Sequence, residues 1–291
     1  MDRIKNGVFD YSHAIISALV FGFMPFFSIS LYKYNINPIS LVFYRFILSL
    51  PTLWILSRRE SSNAWEKGDK PKIILLSLFF GATSLLLFSS YSHISSGAAT
   101  ALHFSYPAVI AILGFLLYKN RLTKVEGISV LLCTVGVFLI NDLDSNLSGF
   151  GVFLAFLSGV TYAFYSIFLG KFTFYGLNHY FILSVVNFVA AILILFSSFF
   201  LEPILWEFPL PVWIGLFLFS NVLTVIATGF YQLSVKKIGA EKTSILSTFE
   251  PLVGVLVGLL VLNEILSVKS ILGIVLILVS SFIIVFFSQN R

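Results

Sequence analysis

Charge is scarce in this chain. Only 11% of its 291 residues are Asp, Glu, Lys or Arg, against about 25% in soluble domains. Apolar residues make up 58% and the mean hydropathy is +0.99, which excludes an ordinary soluble domain. Cysteine is nearly absent as well: the single Cys133 lies in an apolar run, has no intrachain disulfide partner, and is expected to fill core space. No Walker loop, HExxH or nucleophile elbow occurs, and His13, His93, His103 and His179 are scattered, so no metal, cofactor or catalytic centre is expected. The formal net charge of +5 comes from basic residues flanking apolar runs, a sign of membrane topology and not of a nucleic-acid partner.

Those apolar runs are near the length needed to cross a bilayer, roughly 20 residues for about 30 Å of hydrocarbon. They show no polar–apolar alternation, so the spans are helices and not barrel strands. Ten are expected, at 11–32, 38–57, 71–91, 97–118, 124–140, 149–169, 179–200, 211–231, 240–262 and 268–288. The fold class is therefore an all-α integral membrane protein. The first run lacks a small-residue cleavage site and is long, so it is retained as span one and not removed as a signal peptide.

A shift of 144 residues superposes the halves. Ile94 to Thr100 falls on Ile238 to Ser244, Pro107 on Pro251, Gly114 on Gly258 and Leu122 on Leu266. Two five-span repeats follow, 1–140 and 149–291, joined by a linker at 141–148. Of 18 Lys and Arg residues, only Lys33 and Lys269 fall in loops on one side and Arg45 within span two; the others lie on the opposite side, with both termini. Basic loops stay cytoplasmic, so both termini are expected inside. With an odd number of spans per repeat, the second repeat is inverted. The turn before span four faces out, and its counterpart Val235–Ala240 faces in.

Charged groups at membrane depth are costly and become functional candidates. Two stand out, Glu250 near the middle of span nine and Arg45 in the outer half of span two. Glu250 precedes Pro251, which removes a backbone hydrogen bond and frees a carbonyl near Ser247. Ser247, Gly254 and Gly258 share its face and permit close approach. Glu250 reads as a proton or cation site; the alternative is a carboxyl stapling the bundle. In span four, Tyr106-Pro107 matches Glu250-Pro251, and His103 matches Ser247. His103 either lines the cavity or serves as a structural donor, and Arg45 either anchors a substrate carboxylate or ties helices together. Tyr162, Tyr165, Asn187, Asn221, Thr228, Tyr231 and Gln232 offer interhelical hydrogen bonds, some along a path. Most of the 33 Phe residues are expected to face lipid.

These residues together resemble the ten-span EamA branch of the drug/metabolite transporter superfamily, across nearly the whole length. The likeness rests on Phe21-Gly22 with Pro25 after it, on Phe43-Tyr44-Arg45-Phe46, and on the turns leading to Pro107 and Pro251. It extends to Leu116–Leu122 and Leu260–Leu266, where the family commonly places a Glu after the fourth or ninth span; Glu264 is present, but its counterpart is Asn120. Gly159 and Tyr162-Ala163 resemble a position where the family often has Trp.

The resemblance implies a secondary carrier, often an exporter of small metabolites, with a cavity among spans one, three, four, six, eight and nine. The expected activity is export of a small polar or zwitterionic, amino-acid-like metabolite across the inner membrane, driven by a proton or other gradient. Glu250 would take the proton or ammonium group, and Arg45 with His103 the carboxylate. Tyr106, Tyr162 and Gln232 would shape the pocket, with Pro107, Pro251, Gly22, Gly254 and Gly258 allowing the bundle to flex. Rival readings are a proton-coupled importer of a quaternary amine such as choline, caged by aromatics, and, more remotely, a membrane enzyme or scaffold.

Overall fold

The computed structural model describes residues 2–58, 64–106, 108–110, 112–113, 124–141, 148–247 and 249–287, and among these every regular element is helical. Six helices are long and apolar enough to cross a membrane: Ser12–Tyr32, Pro38–Ser57, Asp69–Ser90, Gly149–Lys171, His179–Ser198 and Leu210–Ser234. Shorter apolar helices at Gly127–Gly136, Phe249–Leu260 and Ile271–Ile283 fall within the expected spans five, nine and ten. Span four begins as Ser96–His103. The centre of the linker, at 142–147, lies outside the described residues.

Local chemistry sets several of these boundaries. Asn37 caps span two by accepting from the Ser40 amide (2.8 Å), with Pro38 directly after it. Asn178 caps span seven by accepting from the Phe181 amide at 2.8 Å. Each side chain thereby satisfies a donor that a helix start leaves open.

The same two asparagines reveal how the repeats are arranged. Asn37, at the start of span two, donates through Nδ2 to the Pro203 carbonyl just beyond span seven (2.9 Å). Asn178, at the start of span seven, donates to the Ser57 carbonyl at the end of span two (2.8 Å). Equivalent helices that each begin beside the other's end run antiparallel. Spans five and ten do the same, because Ser280 donates to the Ser129 carbonyl (2.6 Å) while Gly136 packs on Gly273. In spans four and nine, Gly97 meets Val255 and Gly254 meets Thr100, again in opposite directions. Three equivalent pairs are thus antiparallel, which is the inverted arrangement that the charge distribution implies.

One feature departs from the sequence reading. The turn expected at 235–240 keeps helical backbone bonding, since helix runs from Gly229 to Ser247. Yet the Ser234 and Thr243 hydroxyls are 2.9 Å apart, whereas nine residues of straight helix advance about 13.5 Å. The chain therefore reverses through a tight helical bend in place of an open loop. Some of the phenylalanines build the core. Phe46, Phe88, Phe104 and Phe219 are fully buried, and Phe79 stacks on Phe164 and Phe168 at 5.2 and 5.6 Å. Close ring packing between spans three and six substitutes for the hydrophobic drive that lipid cannot supply.

Span five offers an internal control for this packing. A Cβ on Gly136 would lie 2.7 Å from the Gly273 carbonyl oxygen, while one on Gly127 meets nothing within 4 Å. Gly136→Ala is expected to destabilise the protein by about 1–3 kcal/mol through overpacking. Gly127→Ala should be neutral or stabilising by up to about 1 kcal/mol. Thermal unfolding in detergent measures both, and equal effects would contradict the close approach of spans five and ten.

Candidate functional site

The central cavity is made where broken helices meet. Span one stops at Gly22 and resumes at Met24, with Pro25 in the first turn of the new segment. Span four breaks at Phe104 and Ser105 after Ser96–His103. Span nine includes the helix Phe249–Leu260. Pro251 lies within that helix, and Glu250 precedes it there. Its counterpart Pro107 lies outside the described residues. The Phe104 carbonyl, exposed by the span-four break, accepts a hydrogen bond from Ser281 of span ten (2.9 Å).

Around these breaks a cavity of about 50 Å³ admits water-sized molecules. Arg45, His103, Tyr106, Tyr162 and Glu250 all line it, so five of the residues singled out in the sequence converge on one space. The remaining lining includes Phe21, Phe80, Thr83, Ser84, Tyr165, Thr228 and Tyr231. The wall thus draws on spans one, three, four, six, eight and nine, plus Arg45 from span two. Its surface is mainly apolar and aromatic, with few charged groups, as befits a pocket that grips a small ligand by a handful of polar contacts.

Arg45 is only 3% exposed. Its guanidinium lies 5.5–5.8 Å from the ring centres of Phe46, Phe80 and Phe88, and Nη1 donates to Ser84 Oγ at 3.3 Å. Its Nε has no hydrogen-bond partner. A buried guanidinium has five N–H donors to satisfy, so this one retains capacity for an acceptor that enters the cavity. Its backbone is held from the other repeat: the Arg45 carbonyl accepts from Ser220 Oγ (2.5 Å) and Thr224 Oγ1 (3.4 Å) of span eight. Those hydroxyls lie at the junction with a π-helical segment, Asn221–Thr228. The wider helical turn there also allows Thr228 to donate to the Leu223 carbonyl five residues back (3.0 Å) and Ser17 of span one to reach the Ala227 carbonyl (2.8 Å). π-Segments recur at functional sites. Nothing in the residue types of 221–228 signals one, and the sequence reading missed Ser84, Ser220 and Thr224.

Glu250 faces the same cavity from the second repeat, yet Arg45 and Glu250 do not form an ion pair. Among the described residues the one ion pair within 4 Å is Lys72 with Asp69, at 3.3 Å. Opposite charges thus share one pocket with space between them. Gly22 brings span one against this point, for a Cβ there would overlap the Val253 side chain and lie 3.0 Å from the Glu250 carbonyl oxygen.

His103 is partly committed to structure. Its Nδ1 lies 2.9 Å from Ser158 Oγ, and that hydroxyl donates to the Ala155 carbonyl at 2.6 Å. The hydroxyl proton being so used, Nδ1 donates, and Nε2 is the ring's remaining polar atom. Tyr106 and Tyr162 meet edge to face with ring centres 4.8 Å apart, and Tyr162 packs on His103 at 5.2 Å. Gln232 does not line the cavity; it donates to the Tyr165 hydroxyl at 3.1 Å, behind the aromatic wall. Ser247 is buried and donates to the Thr243 carbonyl at 3.0 Å, also away from the cavity. Gly254 and Gly258 lie where span nine packs on span four and on Glu264, beyond the cavity.

A bundle of antiparallel repeats with broken helices around a small charged pocket is the architecture of a membrane transporter. The chain belongs to the EamA-like transporter family, whose model matches residues 10–142 and again 149–286. It is 28% identical over 165 residues to a protein of Bacillus subtilis (strain 168) named as the uncharacterized transporter YxxF, covering 54% of this chain and 52% of that protein. It is also 28% identical over 156 residues to an uncharacterized transporter of Helicobacter pylori (strain ATCC 700392 / 26695), covering 53% of this chain and 52% of that one. The chain therefore spans about half the length of these curated relatives. One solved crystal structure matches with a TM-score of 0.66 at 14% identity, covering 94% of this chain and 95% of that chain, and so shares its fold.

The hold on Arg45 from span eight is testable. Ser220→Ala with Thr224→Val removes both hydroxyl donors to the Arg45 carbonyl and should destabilise the folded protein by about 1–3 kcal/mol. Thermal unfolding measures the loss, and an unchanged melting profile would show that span eight does not hold the Arg45 backbone.

Proposed function

We propose that this protein is a secondary active transporter of a small polar or zwitterionic, amino-acid-like metabolite, exporting it across the inner membrane by alternating access. The observation that carries this reading is the unpaired sharing of one cavity by Arg45 from the first repeat and Glu250 from the second. A zwitterion placed between them meets a cation at one end and an anion at the other. Arg45 receives the carboxylate and Glu250 the ammonium group, or a proton when the cargo leaves. The aromatic rings of Tyr106 and Tyr162 supply the apolar wall, with His103 Nε2 as an added polar contact.

The proposed units are a first repeat over 1–140, a linker over 141–148 and an inverted second repeat over 149–291. The proposed orientation puts both termini in the cytoplasm, following the positive-inside distribution of Lys and Arg. Rocking of one repeat against the other about the broken spans exposes the cavity to alternate sides. A lipid bilayer and a small metabolite are the partners this mechanism requires, with a proton gradient as the driving force. Transport and not catalysis fits a pocket whose polar groups recognise charge but include no nucleophile–base pair.

The aromatic wall beside Glu250 also suits a quaternary amine such as choline, taken up with protons. The two readings differ in their dependence on Arg45. In proteoliposomes, Glu250→Gln and Arg45→Gln are each expected to lower zwitterion transport at least tenfold. For a quaternary amine, Glu250→Gln alone would abolish transport while Arg45→Gln spared it. Normal flux in both variants would remove the cavity from the mechanism.

A further inference from the structure

We propose that Glu264 is a latch that holds the outer gate of the carrier shut by capping span four of the opposite repeat. The inference rests on the central cavity being the transport path. Glu264 follows span nine in the second repeat, whereas its partners open span four in the first. Its Oε1 accepts from the Ser96 amide at 2.8 Å, and its Oε2 from the Gly97 amide at 3.2 Å. Ser95, the residue at the cap position itself, makes no capping hydrogen bond with its side chain. The open amides of span four are therefore satisfied across the repeat boundary by a carboxylate, a charge-assisted contact that also opposes the positive end of the helix.

The backbone is shaped to deliver this carboxylate. Asn263 adopts the left-handed conformation (φ 54°), and the Glu264 amide donates back to the Gly258 carbonyl at 3.0 Å. This turn ends span nine and folds Glu264 toward span four. Gly258 leaves the room needed, since a Cβ there would sit 2.5 Å from Glu264 Oε2. One turn deeper, Gly254 lets span nine approach Thr100, where a Cβ would lie 3.1 Å from Thr100 Cγ2. Carboxylate and glycines together draw spans four and nine together between the cavity and the side that the charge distribution assigns to the outside.

Spans four and nine bring His103, Tyr106 and Glu250 to the cavity. To admit cargo from outside they must part at this end, and the Glu264 cap must break. The sequence gives the other end no equivalent. Shifted by 144 residues, Asn263-Glu264 becomes Lys119-Asn120 and Gly254 becomes Ile110, so the carboxylate and the glycine are both lost. The latch thus makes the gates unequal, and it biases the resting carrier toward the state closed on the outer side.

The test is the labelling rate of one cavity cysteine. In a Cys133→Ser background, Thr83→Cys places a thiol in the cavity wall, and a membrane-impermeant maleimide is applied to right-side-out or inside-out vesicles. Glu264→Ala is expected to speed labelling from outside about tenfold and to slow it from inside, a shift on the scale of one lost charge-assisted interaction. Glu264→Gln, which keeps one acceptor oxygen, should fall between Ala and the parent, and it carries the test if the Ala variant does not fold. Gly254→Val, which wedges span nine from Thr100, should speed outer labelling as well. Labelling that responds to Gly254→Val but is unchanged in folded Glu264 variants would overturn the latch alone. If no variant labels from either side, the cavity is not a transport path, and both the latch and the transport reading fall.

Discussion

A guanidinium deep in a membrane bundle has no water to satisfy it, and this constraint organises the centre of the molecule. Arg45 is satisfied in pieces: three phenylalanine rings surround its charge, Ser84 takes one donor, and its carbonyl is fixed by two hydroxyls of the opposite repeat. Its Nε is left without a partner, in the wall of a space whose other charge is Glu250. Burying an uncompensated charge is strongly unfavourable. In the proposed reading this charge is kept for a ligand, whose charge pattern Glu250 on the far repeat makes specific.

The repeat symmetry explains how such a site is assembled without loops at membrane depth. Antiparallel pairing of spans two with seven, four with nine and five with ten sets equivalent helices against one another. The break in span four opens a helix end in the interior, where irregular backbone is tolerated because it is buried in protein. The exposed groups are met individually, the Phe104 carbonyl by Ser281 and the Ser96 and Gly97 amides by Glu264. Symmetry is kept in the backbone and broken in the side chains. Tyr106 faces Glu250 across the site, and the asymmetry gives the cavity a direction.

Much of this was legible from residue order alone. Span two was expected at 38–57 and is observed as Pro38–Ser57, because Asn37-Pro38 is a strong helix start and the basic Arg58-Arg59 pair marks a membrane edge. Arg45 and Glu250 announced themselves as the two charges within apolar runs. The limits of such reading are equally physical. Residues 235–240 look like a loop because they are polar, yet they lie within the helical stretch Gly229–Ser247, which bends sharply there. The π-helical turn at 221–228 leaves no compositional trace, since an i→i+5 bond needs no special side chain. Gln232 and Ser247 were read as cavity residues from their place on a helix, but rotation about the axis, set by Tyr165 and the Thr243 carbonyl, turns both away. Sequence locates a residue along a helix well and around it poorly.

The central claim is that two opposite charges, one from each repeat, grip the two ends of a single small molecule. It is tested most directly by thermal shift of the purified protein against amino acids and, for each, the matching simple amine and simple carboxylic acid. A ligand selective for the folded state raises the melting temperature by mass action, by about 2.7 kcal/mol at a hundredfold excess over its dissociation constant. The account predicts a shift with a zwitterion, little with either half alone, and loss of the shift when Arg45 or Glu250 is neutralised. A zwitterion-induced shift that persisted with both charges removed would contradict it.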